Sequence, residues 1–264
     1  FARRHKLRVV EDCAHAIHSF SDHQRCGTLG DAALLSFVVT KAVNAFGGGI
    51  MLTNKHELAH SIRAGIQDLP LPNTEALVRR VAVAYGLHAA TQPKFFDAIG
   101  APALRMLTAS RTDPIGLYNR LVRPGTINTR VDTKLAPVQA AAALVQMRLL
   151  GQMQQRRTWI VKQLTPCFPV DWEVQYCAPS DTHSYYFLIA SVPDPDRVAQ
   201  RLLQQGVDVG RRPMRNCAAL DDADGGAKAF PVAEQLMERS IQIPVYPTLD
   251  DEAVQHMREV ISSL

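Results

Sequence analysis

The sequence predicts an α/β protein that ends in a smaller α+β part, and three features predict it. Short apolar runs separated by glycine and asparagine fill the first sixty residues, a long helical stretch occupies the middle, and strands and helices mix after Pro166. Composition is that of a globular chain. Of 264 residues, 47% are apolar and 20% charged, which sets aside disorder, collagen and disulfide scaffolds. The length suits one large domain or two modest ones. No run approaches the roughly 18 apolar residues of a membrane helix, so no membrane association is expected. Five cysteines form no CxxC pair, and an odd number fits a reducing, cytoplasmic setting. Phe1 to His5 do not read as a signal peptide. The chain does not open on Met, so a missing upstream segment is expected.

Arg8-Val9-Val10 reads as a strand ending in Glu11-Asp12, residues 32–38 as a second, and residues 48–53 as a third bounded by glycines and Asn54. Compact apolar runs without strict alternation suit strands buried on both faces. A helix opens at Asn54-Lys55-His56-Glu57. Residues 76–90 have apolar and aromatic side chains at helical spacing, and Pro93, Pro102 and Pro114 punctuate the stretch beyond them. Residues 136–159 form one long helix with Pro137 in its first turn. Beyond Pro166 come a strand at 185–191 and a helix after Asp194-Pro195-Asp196. Strands near 207–210 and at 241–245 come next, then a closing helix from Asp250. From Ser61 to Lys134, ten Lys/Arg face five Asp/Glu, so the chain's +4 is concentrated there. That implies an anionic partner for this stretch. No arginine–aromatic interleaving or zinc-finger spacing points to nucleic acid.

The chemistry gathers near the start. Asp12 stands just past the carboxyl end of one strand and Lys41 just past another, where α/β proteins bind ligands. A desolvated lysine has a lowered pKa and presents a neutral, nucleophilic amine. An aspartate with such a lysine is what pyridoxal phosphate requires: the lysine forms the Schiff base, and the carboxylate keeps the ring nitrogen protonated. The residues alone leave other readings open. Lys41 could be a solvated loop lysine, Asp12 a helix N-cap, Ser36 a backbone-satisfied hydroxyl and His15 a core histidine.

Three segments carry a resemblance: Glu11-Asp12-Cys13-Ala14-His15-Ala16, Gly30-Asp31-Ala32-Ala33 through Ser36-Phe37 to Lys41, and Gly47-Gly48-Gly49. With Gln139-Ala140-Ala141 and Gln146, Phe230-Pro231-Val232-Ala233-Glu234 and Ile243-Pro244-Val245-Tyr246-Pro247, they resemble the DegT/DnrJ/EryC1/StrS sugar aminotransferases of fold type I. The resemblance implies the C-terminal part of a fold-type-I large domain plus a small α+β domain. It implies pyridoxal 5′-phosphate bound covalently to Lys41, which also shuttles the proton between Cα and C4′. Asp12 would pair with the pyridine nitrogen, His15 would touch the 3-hydroxyl side, and Ser36 would bond the phosphate. The implied reaction moves an amino group from an amino acid, glutamate by expectation, to a keto group of a nucleotide-linked sugar, in a homodimer.

On this reading residues 1–67 are the C-terminal half of the cofactor domain and 68–130 a basic helical insertion. Residues 131–160 are a connecting helix, and 161–264 the small domain. The insertion's charge suits a nucleotide- or lipid-linked diphosphate or an anionic surface. The sequence departs from the family in lacking the earlier phosphate turn, which leads us to expect a fragment that binds cofactor weakly. It also departs at Asp132, where an asparagine reaches the neighbouring subunit's phosphate, so that Asn128 or Arg130 would have to serve. Gly47 replaces an acidic residue. Two other classes compete: a catalytically inactive fold-type-I scaffold, and a zinc site through His15, His18, His23 and Cys26.

Overall fold

The computed structural model describes residues 1–90, 92, 98, 102, 133–211 and 230–264. The rest of the expected insertion, and Asn128, Arg130 and Asp132 with it, lie outside the described residues. The chain divides into two compact units, Phe1–Val10 with Gly30–Met147 and Glu11–Leu29 with Arg148–Leu264.

The first unit is built on a sheet of order β1-β4-β5. Strand β1 (Val10–Asp12) begins here with Val10, and β4 (Ala32–Ser36) pairs antiparallel with β5 (Gly49–Leu52) from Ala33↔Leu52 to Ser36↔Gly49. The expected burial on both faces is corrected here. Ala33 and Leu35 are buried, whereas Leu34, Ile50 and Met51 are exposed. Along β4 this is the alternation of a strand with one covered face, and antiparallel pairing tolerates an uncovered one; on β5 the neighbours Ile50 and Met51 are both exposed.

Asp31 anchors this sheet at its start. Its carboxylate accepts the Val9 N–H at 2.7 Å, takes a hydrogen bond from Lys55 and lies 3.6 Å from Arg8. The Lys55 bond, then the Val9 N–H, hold its pKa down to about 2. Helix α1 (His56–Gln67) follows, and α2 (Thr74–Ala90) starts where the Asn73 side chain accepts the Ala76 N–H at 3.0 Å. Helix α3 (Pro137–Leu164) has Pro137 at its first position, and its residues through Met147 belong to this unit.

The second unit holds a four-stranded sheet of order β6-β7-β9-β8. These strands are β6 (Glu173–Val174), β7 (Leu188–Ser191), β9 (Ser240–Ile243) and β8 (Gly210–Arg211), and every described pairing is antiparallel. Helix α4 (Pro195–Gln204) is capped by Asp194, whose carboxylate accepts the Arg197 N–H. Helix α5 (Pro231–Arg239) starts on Pro231. Helix α6 (Asp251–Ser262) is capped by Asp250 and buries Val254, Met257, Val260 and Ile261 at helical spacing. Those side chains join Ile160, Leu164, Leu188, Ile241 and Ile243 in one apolar core. The unit also takes in a short hairpin of β2 (Phe20–Ser21) and β3 (Gln24–Arg25).

Several boundaries differ from the expectation: β1 lies at Val10–Asp12, β4 ends at Ser36, β8 is Gly210–Arg211 and β9 ends at Ile243. Two further shifts have a physical reason. Strand β7 starts at Leu188 and not at Tyr185, because Tyr185 has φ 44°, a left-handed conformation that no strand accommodates. Helix α3 runs past Trp159 to Leu164, since Ile160 and Leu164 on its last turns are fully buried. No helix among the described residues is long and apolar enough to cross a membrane.

Because Leu188 is fully buried at the centre of the second unit's sheet, Leu188→Ala should cost about 2–5 kcal/mol in urea denaturation. Val170→Ala, at an exposed position, should stay within about 0.5 kcal/mol of the parent.

Candidate active-site loops

The four candidate residues fall on both units. Ser36 and Lys41 lie on the first, Asp12 and His15 on the second.

Lys41 sits on the loop joining β4 to β5. The loop has no regular ladder, yet Val43 and Ala45 on it are buried, so its backbone groups need partners within the protein. Some come from the loop's own stem. The Phe37 carbonyl accepts the N–H groups of Ala45 at 2.9 Å and Gly47 at 3.1 Å, and the Phe37 N–H donates to the Gly48 carbonyl. The Lys41 N–H closes a turn onto the Val38 carbonyl at 2.9 Å.

The remaining partners come from α3. Gln139, 4% exposed, donates to the Ala45 carbonyl at 2.9 Å and to Gly47 at 3.3 Å, while its oxygen accepts the Ala136 N–H. Gln146 grips Asn44 from both sides, accepting its N–H at 2.9 Å and donating to its carbonyl. Two side-chain amides thus do for this loop what a neighbouring strand does for a sheet edge. Lys41 is half-buried on the loop they hold, and Ser36 is half-buried at the end of β4 opposite Gly49.

Two glycines are fixed by this geometry. A Cβ at Gly49 would collide with the Leu35 carbonyl of the paired strand. Gly47 has φ 128°, and a Cβ there would stand 3.2 Å from the Arg80 guanidinium. An acidic side chain at position 47 would therefore need both a strained backbone and the space that Arg80 occupies.

On the second unit, Glu11 ties off the excursion between β1 and β4. Its two oxygens accept the N–H groups of Gly27 and Leu29, each at 2.8 Å. Asp12 is exposed and caps a turn, not a helix: its Oδ1 accepts the Ala14 N–H at 2.9 Å, and no helix follows. His15 is also exposed, which corrects the core-histidine alternative. Its ring stacks on Tyr186 at 4.4 Å between centroids, with Phe187 edge-on at 6.3 Å.

Among the described residues, which include His15, His18, His23 and Cys26, no group of three or more His, Cys, Asp or Glu is placed to hold a metal ion. Burial, then the nearby Glu11 carboxylate, pushes the Cys26 thiol upward.

Sequence reasoning did not foresee the roles of Glu11, Asp31 and Tyr186, or the target of the glutamines. Glu11, Asp31 and the glutamines stand inside the segments that carry the resemblance, which was the available signal.

Over 97% of its length, the chain matches the structure of the PLP-form of putative sugar aminotransferase Spr1654 from Streptococcus pneumoniae, with a TM-score of 0.62 and 16% identity, covering 57% of that chain. The fold is thus that of an aminotransferase. The chain belongs to the DegT/DnrJ/EryC1/StrS aminotransferase family, whose model matches residues 1–262. It is 24% identical over its whole length to a dTDP-3-amino-3,4,6-trideoxy-alpha-D-glucose transaminase of Micromonospora megalomicea subsp. nigra. It is 28% identical over 97% of its length to a dTDP-4-dehydro-2,3,6-trideoxy-D-glucose 4-aminotransferase of Saccharopolyspora spinosa. The chain spans 61% and 58% of the lengths of these two relatives.

The glutamine staple and a half-buried histidine each have a measurable consequence. Gln139→Ala strips donors from two backbone carbonyls and should cost about 1–3 kcal/mol, read as a lower denaturation midpoint. The histidine is His183, whose Nδ1 accepts the Tyr185 N–H at 2.8 Å and whose pKa burial lowers. A depressed folded pKa means that the unfolded chain binds the proton first. The contribution is complete above about pH 6.5 and is lost as pH falls toward the folded value. His183→Gln should flatten part of the fall in melting temperature between roughly pH 7.5 and 5, and an unchanged slope would reject this assignment.

Proposed function

We propose that the protein is a pyridoxal-phosphate-dependent aminotransferase that moves an amino group from an amino acid, glutamate in our reading, to a keto group of a nucleotide-linked sugar. The observation that carries this reading is the stapled loop that holds Lys41. A nucleophilic amine must return to the same place after each release, and the amides of Gln139 and Gln146 fix the backbone that bears it. Support comes from the family, from the PLP-form neighbour, and from the two relatives named for dTDP-sugar transamination.

The residues present fit the cofactor by their chemistry. The first unit offers an amine and a hydroxyl beside a glycine turn, and the second an exposed carboxylate and an exposed imidazole. When bound, pyridoxal phosphate supplies an electron sink that stores the amino group between two half-reactions. Lys41 would hold the cofactor through its Nζ and would carry a proton between the donor Cα and C4′. Asp12 would keep a proton on the pyridine nitrogen, His15 would serve the ring's 3-hydroxyl side, and Ser36 would donate to the phosphate. The same residues would serve the half-reaction that aminates the keto sugar. In this reading residues 1–67 belong to the cofactor domain and 161–264 to the small domain, with residues 68–130 inserted and 131–160 connecting. The protein works as a cytoplasmic homodimer.

Lys41→Ala should abolish the cofactor's visible absorbance and its trapping by borohydride in the whole natural protein. A wild type that folds but shows neither signal overturns the enzyme reading in favour of an inactive scaffold.

A further inference from the structure

We propose that Ser184 is a positioning residue that locks the turn bearing Asp12 and His15; the inference rests on the reading that these two side chains meet the cofactor. Ser184 is 1% exposed and lies 169 residues from His15 in sequence. Its hydroxyl donates to the His15 carbonyl at 2.7 Å, and its N–H donates to the Ser19 hydroxyl at 3.0 Å. One residue therefore holds the turn at two points, through a buried hydrogen bond to Ser19 and a part-buried one to His15.

The surrounding contacts keep Ser184 in place. Phe20 and Thr182 exchange two backbone hydrogen bonds, each 2.9 Å, and the Asp22 N–H donates to the Asp181 carboxylate at 2.8 Å. Gln154, 5% exposed on α3, donates to the His183 carbonyl at 2.7 Å. Beyond Ser184, Tyr186 stacks on the His15 ring. The segment 180–187 thus fastens to 15–22 by backbone at one end and by an aromatic face at the other, with Ser184 between them.

The segment 13–19 has no ladder of its own. Two short turns lie within it, from the Ala16 N–H to the Cys13 carbonyl and from the Ser19 N–H to the Ala16 carbonyl. Asp12 caps the Ala14 N–H and the His15 ring stacks on Tyr186, so both side chains follow the backbone of this turn. A hydroxyl that reaches the backbone at His15 sets where the carboxylate of Asp12 and the imidazole of His15 stand before any ligand arrives. That preorganisation lowers the ordering cost of binding. Alanine at 184 would keep the N–H contact to Ser19 and lose only the bond to His15, leaving a part-buried carbonyl short of that donor.

Two measurements on Ser184→Ala in the whole natural protein test this. In the cofactor-free protein, amide exchange at Ala16 and Ser19 should quicken about tenfold, with exchange in the β7–β9 ladder unchanged. In the cofactor-loaded protein, cofactor affinity should fall about tenfold. The induced circular dichroism of the bound ring should also shrink at saturation. Thr165→Val serves as a control, because it removes another hydroxyl-to-carbonyl bond of this unit, to Val161, remote in sequence from His15. It should leave both readouts at wild-type values. If Ser184→Ala fails to fold, Ser19→Ala, which cuts the second anchor, should give the same exchange pattern. Unchanged exchange at Ala16 and Ser19 in the variant overturns the inference. A wild type without cofactor absorbance overturns the aminotransferase reading instead, and leaves the exchange result to judge Ser184.

Discussion

Buried backbone that is neither helix nor strand must find its hydrogen-bond partners among side chains, and the loop carrying Lys41 is arranged around that requirement. In the proposed function the Lys41 amine enters and leaves a covalent bond, and it then needs a support that does not relax between the two states. Regular structure would hold it rigidly but would not present it at the end of a strand. The loop from Phe37 to Gly48 resolves the conflict by folding back on the Phe37 carbonyl and accepting two glutamine amides from a distant helix. Those bonds span 94 and 102 residues of sequence, so the loop's order depends on contacts with a helix far along the chain.

Helix α3 consequently has two jobs along its length. Its first turns present Gln139 and Gln146 to the Lys41 loop, and its last turns place Ile160 and Leu164 in the core of the second unit. Its alanine-rich start suits the first job, because small side chains let the helix lie close to a loop while the glutamines reach across. The second unit repeats the principle on a smaller scale. There Glu11 ties Gly27 and Leu29, and Asp12 caps its own turn. Polar residues that a motif reading assigns to catalysis as a group separate on inspection into those that hold backbone and those that face outward.

That separation marks the boundary of what the amino-acid order reveals. Strand β4, helix α3 and helix α6 are legible because periodicity and caps are local signals, and Pro137 and Asp250 announce their helices. The hairpin β2–β3 and strand β6 are not, since two-residue strands contain no period to read. The start of β7 is misread because a left-handed Tyr185 leaves no trace in an apolar run. Among the candidate residues, Lys41, Asp12, Ser36 and His15 stand out by type and by motif. The work of Gln139, Gln146 and Glu11 depends on contacts that form only in three dimensions.

The pairing of Ser36 with Gly49 also constrains how this region can change over time. The loop is pinned at its stem by the strand register and along its rise by amides about two turns apart on one face of α3, so its contour length is fixed from two directions. Residue identities on its outer side can drift, but gain or loss of a single residue would shift Asn44 and Ala45 out of reach of their amides. Length polymorphism between homologues should therefore be absent between positions 36 and 49 and concentrated elsewhere. An alignment that opens a gap inside that interval should be treated as misregistered.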